Sequence, residues 1–302
     1  MRGLEETELP VGEENRIIIM EDIKYRQIID EMKSIEEFVG DFGFLMFGRD
    51  FILCRKWTFS LAAISTSIEF TVGNIIMCCE RACIADANTL LRKYRDDLFF
   101  YLYVVVFNSR KYLENSNNIT KMEENISRWI QNGLDNLYIQ EVLSAIGKSP
   151  ELKEAVTAFE LQKSFSDIGE RLNDFVHGNG YEYYNRVVVR YKENECYNYA
   201  KRIYDDMKYV TVTFLFLLIL CSPHLVMSTD YIDYLDCGEV PPKDVQYLVA
   251  PFIERFISDN INLIDEKCYM YLKENTSMNF SSAYYDGNSE DEDISLRSDR
   301  DC

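Results

Sequence analysis

The feature that most constrains the fold is an apolar run over residues 210–221, which resumes over residues 225–227. Ser222, Pro223 and His224 interrupt it, so about a dozen strongly apolar residues remain in a row, whereas a bilayer-spanning helix needs about 20. We therefore predict that this run forms the central, buried helix of a helical bundle and that a membrane span is not present there.

Apolar residues elsewhere in the chain recur every three or four positions, the spacing that places them on one face of a helix. This pattern is found in segments 17–39, 60–80, 86–107, 121–146, 152–161 and 245–263. Pro251 falls inside the last of these and is predicted to kink or split the helix. Strand-like alternation is confined to residues 187–189. The chain is therefore predicted to be all-α, a helical bundle.

The predicted organisation has three parts. Residues 1–16 are acidic and lack the apolar core of a signal peptide, so we expect a flexible N-terminal arm and a cytoplasmic protein. Residues 17–280 are predicted to form a single helical domain that includes a C-terminal helical extension. Residues 281–302 are polar and acidic and are predicted to be a disordered tail. The nine scattered cysteines fit a reducing compartment, because an odd, unpatterned set does not suggest a disulfide framework.

The charge balance limits the nucleic acids that the chain can bind. It has 51 acidic and 32 basic residues, a net charge of −19. Since phosphate neutralisation provides most non-specific affinity, DNA binding is not expected, and any RNA contact must depend on a local basic patch. The candidates are Arg92 and Arg95 in one predicted helix and Arg186 and Arg190 in a tyrosine-rich segment. Salt-bridged or packed helix faces explain the same residues without RNA.

One short motif combines groups suited to phosphodiester chemistry. Arg171 precedes His177, one of only two histidines, and Asn173 lies four residues before that histidine. An imidazole transfers protons near neutral pH and a guanidinium binds phosphate. Asn173 and His177 share a helix face, whereas Arg171 and His177 converge only if the helix ends near Val176. The glycines that flank Asn179 favour such an end.

An arginine and a histidine with a short spacer that contains a polar residue, late in an all-helical chain, resemble the signature of HEPN (higher eukaryotes and prokaryotes nucleotide-binding) domains. The resemblance covers residues 59–222. Many members are metal-independent endoribonucleases of toxin–antitoxin and phage-defence systems, in which two protomers face one cleft. The polar residue commonly follows the arginine directly in that family, whereas here Leu172 intervenes before Asn173.

The resemblance implies a metal-independent endoribonuclease that acts without a cofactor, as a homodimer, on RNA, with an antitoxin protein as partner. In that reading His177 is the general base or acid and Arg171 stabilises the charge of the phosphorane. Asn173 orients the attacking group and Asp174 steers the imidazole. The alternative is a non-catalytic helical protein-interaction module in which Arg171 and His177 cap a helix end.

No metal site is predicted. Cys79 and Cys83 are four residues apart but lack a second ligand pair. The carboxylates of segment 230–236 recur every three residues, whereas calcium loops place ligands at every second residue around a glycine. A solvated acidic surface explains that segment.

Overall fold

A computed structural model describes residues 11–47, 49, 51–54, 57–113, 121–132, 137–176, 195–243 and 245–280. Apart from one short hairpin, the regular structure of these residues is helical, which confirms the predicted all-α class. The helices are α1 Val11–Glu21, α2 Ile23–Met46, α3 Ala62–Glu80, α4 Ile84–Leu113, α5 Lys121–Ile130, α6 Ile139–Gly147, α7 Lys153–Ala158, α8 Leu161–Val176, α9 Glu195–Cys221, α10 Asp230–Asp236, α11 Pro251–Asn260 and α12 Cys268–Asn275. Short 3-10 helices occupy Pro223–Val226, Val245–Tyr247 and Ile261–Leu263.

Helix α9 is the centre of the bundle, as the apolar run predicted. None of residues 210–219 exposes more than 1% of its surface. The helix packs against α2, α4 and α11. The Phe214 ring makes edge contacts with Phe42 of α2 and Tyr101 of α4, with centroids 5.6 and 5.7 Å away. Aromatic edge contacts of this kind stabilise the fold in addition to the burial of apolar area, so Phe214 stabilises the packing of α2, α4 and α9.

The N-terminal helix begins earlier than predicted. Helix α1 starts at Val11, inside the segment that we assigned to the arm, and residues 1–10 lie outside the described part of the chain. The periodic segment that follows is divided at Asp22, whose carboxylate accepts hydrogen bonds from the backbone N–H groups of Lys24 (2.9 Å) and Tyr25 (3.2 Å). An aspartate cap of this kind starts a new helix, α2, because it satisfies donors that lack partners in the first turn.

Two further segments differ from the prediction. The periodic segment 121–146 forms two helices, α5 and α6, and Asn132 just after α5 has a φ of 54°, a left-handed conformation that turns the chain away from the helix axis. No strand was predicted between the first two periodic segments, whereas β1 Phe51–Cys54 and β2 Trp57–Ser60 form an antiparallel hairpin there. Strands of four residues are too short to show a period, although they are rich in aromatic and β-branched residues.

Pro251 divides the last periodic segment, as predicted. It is the first residue of α11, and a separate 3-10 helix precedes it. Proline suits this position because a backbone N–H group in the first turn of a helix has no acceptor within the helix, so its absence costs nothing. The tail 281–302 and the strand-like residues 187–189 lie outside the described part of the chain.

Among the described helices, α3 alone is long and apolar enough to cross a membrane, with a mean hydropathy of 1.4 over its most apolar window. Within the bundle 39% of that window is buried. The helix packs against α2 and α4, and core helices of water-soluble proteins meet the same length and composition criterion.

Candidate functional site

Helix α8 carries Arg171, Asn173 and Asp174 of the motif, and its buried face decides which of them can meet. Leu161, Phe165, Ile168 and Leu172 form its buried stripe. Residues two positions apart on a helix point about 200° apart. Arg171 and Asn173 therefore lie on opposite flanks of the stripe that ends at Leu172, and they face different neighbours.

Asn173 lies on the flank that faces α4 and α6, where the three helices enclose a surface cavity of about 370 Å³. Arg92 and Arg95 of α4 line the same cavity. The rest of its polar lining is mainly neutral and consists of Gln140, Ser144, Gln162 and Ser166, with Glu170 as its acidic member. The structure thus brings together three residues that the sequence placed in two separate candidate sets.

Arg95 is held by its neighbour Asp96. Only 2% of its surface is exposed, and its Nε and Nη2 groups donate hydrogen bonds of 2.9 and 2.7 Å to Oδ1 of Asp96. The Nε of Arg92 lies 3.7 Å from the other carboxylate oxygen. Burial raises the pKa of Asp96, and the charge of Arg95 opposes that rise. The Asp96 carboxylate therefore holds Arg95 by two hydrogen bonds and forms a longer ion pair with Arg92, and both guanidinium groups line the cavity.

The Nη1 group of Arg95 takes no part in the pairing with Asp96 and lies against α8 at Gly169, which also lines the cavity. A Cβ atom at position 169 would be 2.6 Å from this nitrogen. The glycine therefore provides the space in which the guanidinium sits. An isolated glycine within an amphipathic helix is a sequence signal of such a close approach.

A guanidinium at a cavity wall is a candidate ligand for an anion. Gly169→Ala is expected to displace the guanidinium of Arg95 and thus to weaken the binding of an anionic probe by roughly 10-fold, since a charge-assisted hydrogen bond contributes about 1.5–3 kcal/mol. Alanine is about 0.5–1 kcal/mol better than glycine within a helix, so the thermal midpoint should not fall by much. Titration with a phosphorylated oligonucleotide and thermal unfolding measure the two effects. Unchanged affinity would show that Nη1 does not contact the ligand.

Arg171 lies on the other flank of α8 and faces α9. Its Nη2 donates a hydrogen bond of 2.5 Å to Oδ2 of Asp206, and the two side chains are 26% and 14% exposed. Burial raises the pKa of Asp206, and the hydrogen bond and charge of Arg171 oppose the rise. The Arg171 Nε is buried and has no hydrogen-bond partner among the described residues. Arg171 therefore joins α8 to α9 and does not share the cavity with Asn173.

The other predicted site residues are placed as follows. Asp174 is exposed on α8. His177, Arg186 and Arg190 lie outside the described residues, so the convergence of Arg171 with His177 stays a prediction. Within the described part of the chain, no group of three or more His, Cys, Asp or Glu side chains is arranged to hold a metal ion.

The second histidine, His224, belongs to no sequence motif and lies near an arginine from a distant part of the chain. Burial lowers the pKa of His224, and the positive charge of Arg49 lowers it further. Nη1 of Arg49 donates a hydrogen bond of 2.5 Å to the carbonyl oxygen of Met227. No motif could have revealed this proximity, because the two segments meet only through the fold.

In comparisons with known proteins, no protein-family model, curated protein or solved structure matches this chain. The resemblance to HEPN domains, which depends on the spacing of Arg171, Asn173 and His177, stays a prediction.

Proposed function

We propose that this protein is a metal-independent endoribonuclease whose active site is the cavity between α4, α6 and α8. The observation that carries the proposal is that Arg92, Arg95 and Asn173 line one cavity. These residues provide two fixed cations and an amide on the helix that leads towards His177, four residues after Asn173. The neutral amides and hydroxyls of the lining supply donors and acceptors for ribose and base.

In the proposed reaction the guanidinium groups of Arg92 and Arg95 hold the scissile phosphate and stabilise the charge that develops on its oxygens. Asn173 orients the ribose 2′-hydroxyl. His177 takes the proton from that hydroxyl, and the 2′-oxygen forms a bond to phosphorus. The bond from phosphorus to the 5′-oxygen breaks, and that oxygen takes a proton from water. The products are a 2′,3′-cyclic phosphate and a free 5′-hydroxyl, and Asp174 is proposed to orient the imidazole.

The proposal departs from the resemblance at Arg171. Its guanidinium is paired with Asp206 on the flank of α8 opposite to Asn173. We assign it the role of a positioning residue that holds α8 against α9, while Arg92 and Arg95 contact the phosphate. The homodimer and the antitoxin partner, which the resemblance implies, and the cytoplasmic location, which the N-terminal segment and the cysteines predict, remain part of the proposal.

His177→Ala is expected to reduce cleavage of an RNA oligonucleotide by about 10²–10⁴-fold, the usual contribution of an acid or base catalyst. The assay uses purified protein in the presence of a chelator and identifies the fragment ends by mass. Asn173→Ala should also reduce the rate while thermal unfolding stays unchanged, because its side chain lies at the cavity. Arg171→Ala should lower the thermal midpoint, since its removal leaves Asp206 without its partner.

Absence of cleavage by the unsubstituted protein, or fragments without a cyclic phosphate, would contradict the proposal. That outcome would favour the second candidate function, a non-catalytic helical interaction module. The observation that supports an interaction module is the pairing of Arg171 with Asp206, because this ion pair gives the arginine of the motif a structural role. In an interaction module, His177→Ala would leave RNA unaffected and would alter only stability or partner binding.

A further inference from the structure

A second cavity adjoins the first. It has a volume of about 510 Å³ and lies between α4, α5 and α6. Gln140 and Ser144 of α6 line both cavities. The two cavities are therefore neighbours, and these two side chains lie at the boundary between them. Lys121 and Lys148 line the second cavity, together with Tyr103 and Asn125. The Asn125 amide donates a hydrogen bond of 3.4 Å to the Tyr103 hydroxyl.

The charge of this surface differs from that of the whole protein. Four basic side chains line the two cavities, with Glu141 and Glu170 as the two acidic ones. The chain as a whole has 51 acidic and 32 basic residues. The Nζ of Lys121 lies 3.7 Å from Glu141, and these side chains are 77% and 46% exposed. An exposed pair of this kind contributes little stability and exchanges readily for another anion.

We propose that the two cavities form one groove that binds single-stranded RNA across α6. The identity of the ligand as RNA rests on the proposed function. In this arrangement Arg92 and Arg95 hold the phosphate that is cleaved, and Lys121 and Lys148 hold phosphates farther along the same strand. Gln140 and Ser144, between them, contact the intervening nucleotides.

The dimensions of the groove fit a short run of nucleotides. Arg95 and Tyr103 are eight residues apart on α4, a distance of about 12 Å at 1.5 Å per residue. A stacked strand advances about 3.4 Å per nucleotide, so the two cavities are separated by about three or four nucleotides. Gln140 and Ser144 are one helical turn apart and provide an amide and a hydroxyl for contacts with the strand that crosses α6. Unpaired bases expose their Watson–Crick edges to such groups, whereas in a duplex these edges are occupied by pairing.

The test measures binding separately from cleavage. The probes are 2′-O-methyl oligouridylates of three and eight nucleotides, which lack the attacking hydroxyl, and binding is followed by fluorescence anisotropy at several salt concentrations. The double substitution Lys121→Ala with Lys148→Ala is expected to weaken binding of the eight-nucleotide probe by roughly 10-fold. It should also reduce the salt slope of log K by about 1.4. Binding of the three-nucleotide probe should change by less than about 2-fold.

Lys24→Ala with Lys33→Ala is the matched control, since it removes the same charge from α2, which lines neither cavity. The proposal is overturned if both double variants weaken binding equally, if a duplex of the same length binds as tightly as the single strand, or if polyglutamate binds while the oligonucleotide does not. Native protein that binds the eight-nucleotide probe through Lys121 and Lys148 but does not cleave the unmodified oligonucleotide supports the groove and contradicts the nuclease.

Discussion

Replacing Phe214 by alanine is expected to lower the free energy of unfolding by about 3–5 kcal/mol. Only 1% of the side chain is exposed, and its ring contacts Phe42 and Tyr101, which belong to two other helices. Removing the ring therefore leaves a cavity at the point where α2, α4 and α9 meet, and the dense packing of a core does not close such a space. Denaturant unfolding followed by circular dichroism measures the loss.

Phe70→Ala is the matched control for this substitution. Phe70 lies on α3 and exposes 69% of its surface, so its removal should change the free energy of unfolding by less than about 0.5 kcal/mol. A loss below about 1 kcal/mol for Phe214→Ala, or similar losses for both variants, would contradict the placement of α9 at the centre of the core.

Arg95→Ala and Asp96→Asn are expected to change RNA affinity in opposite directions. The first removes the guanidinium at the cavity wall and should weaken binding by roughly 10- to 100-fold, the value of a hydrogen-bonded charge. The second replaces the carboxylate that Arg95 and Arg92 share with a neutral amide, whose oxygen still accepts hydrogen bonds from Arg95. The guanidinium therefore keeps its place while the cavity gains positive charge, and binding should strengthen by several-fold. Anisotropy titration with an uncleavable oligonucleotide measures both changes.

Two controls accompany this pair of substitutions. Asp97→Asn removes the same charge one residue away, but Asp97 pairs with Lys93, which also contacts Ser67 of α3, outside the cavity. It should therefore change affinity by less than about 2-fold at moderate salt. Arg95→Lys keeps the positive charge but lacks the planar guanidinium. This variant serves as a second test of the Arg95 contact if Arg95→Ala does not fold. Equal gains from Asp96→Asn and Asp97→Asn would show that binding depends on net charge and not on the cavity.

The arrangement of charges around α8 explains why the motif was only partly predictable. Spacing along a helix correctly places Asn173 and Arg171 on different faces, but it does not say what each face meets. Asp206, the partner of Arg171, lies 35 residues later in the chain. Arg92 and Arg95 likewise belong to a segment that a solvated, salt-bridged surface explains without RNA. The structure shows that both residues line a cavity between α4, α6 and α8.

The sequence by itself determined the all-α class, the burial of residues 210–219 and the division of the last segment at Pro251, because these depend on short-range properties. Helical periodicity, the length of an apolar run and the missing N–H group of proline act within a few residues. Only the tertiary structure shows that Arg171 pairs with Asp206 and that Arg95 and Asn173 line the same cavity. These contacts join residues far apart in the chain, and packing of the buried faces selects which polar flanks are brought together.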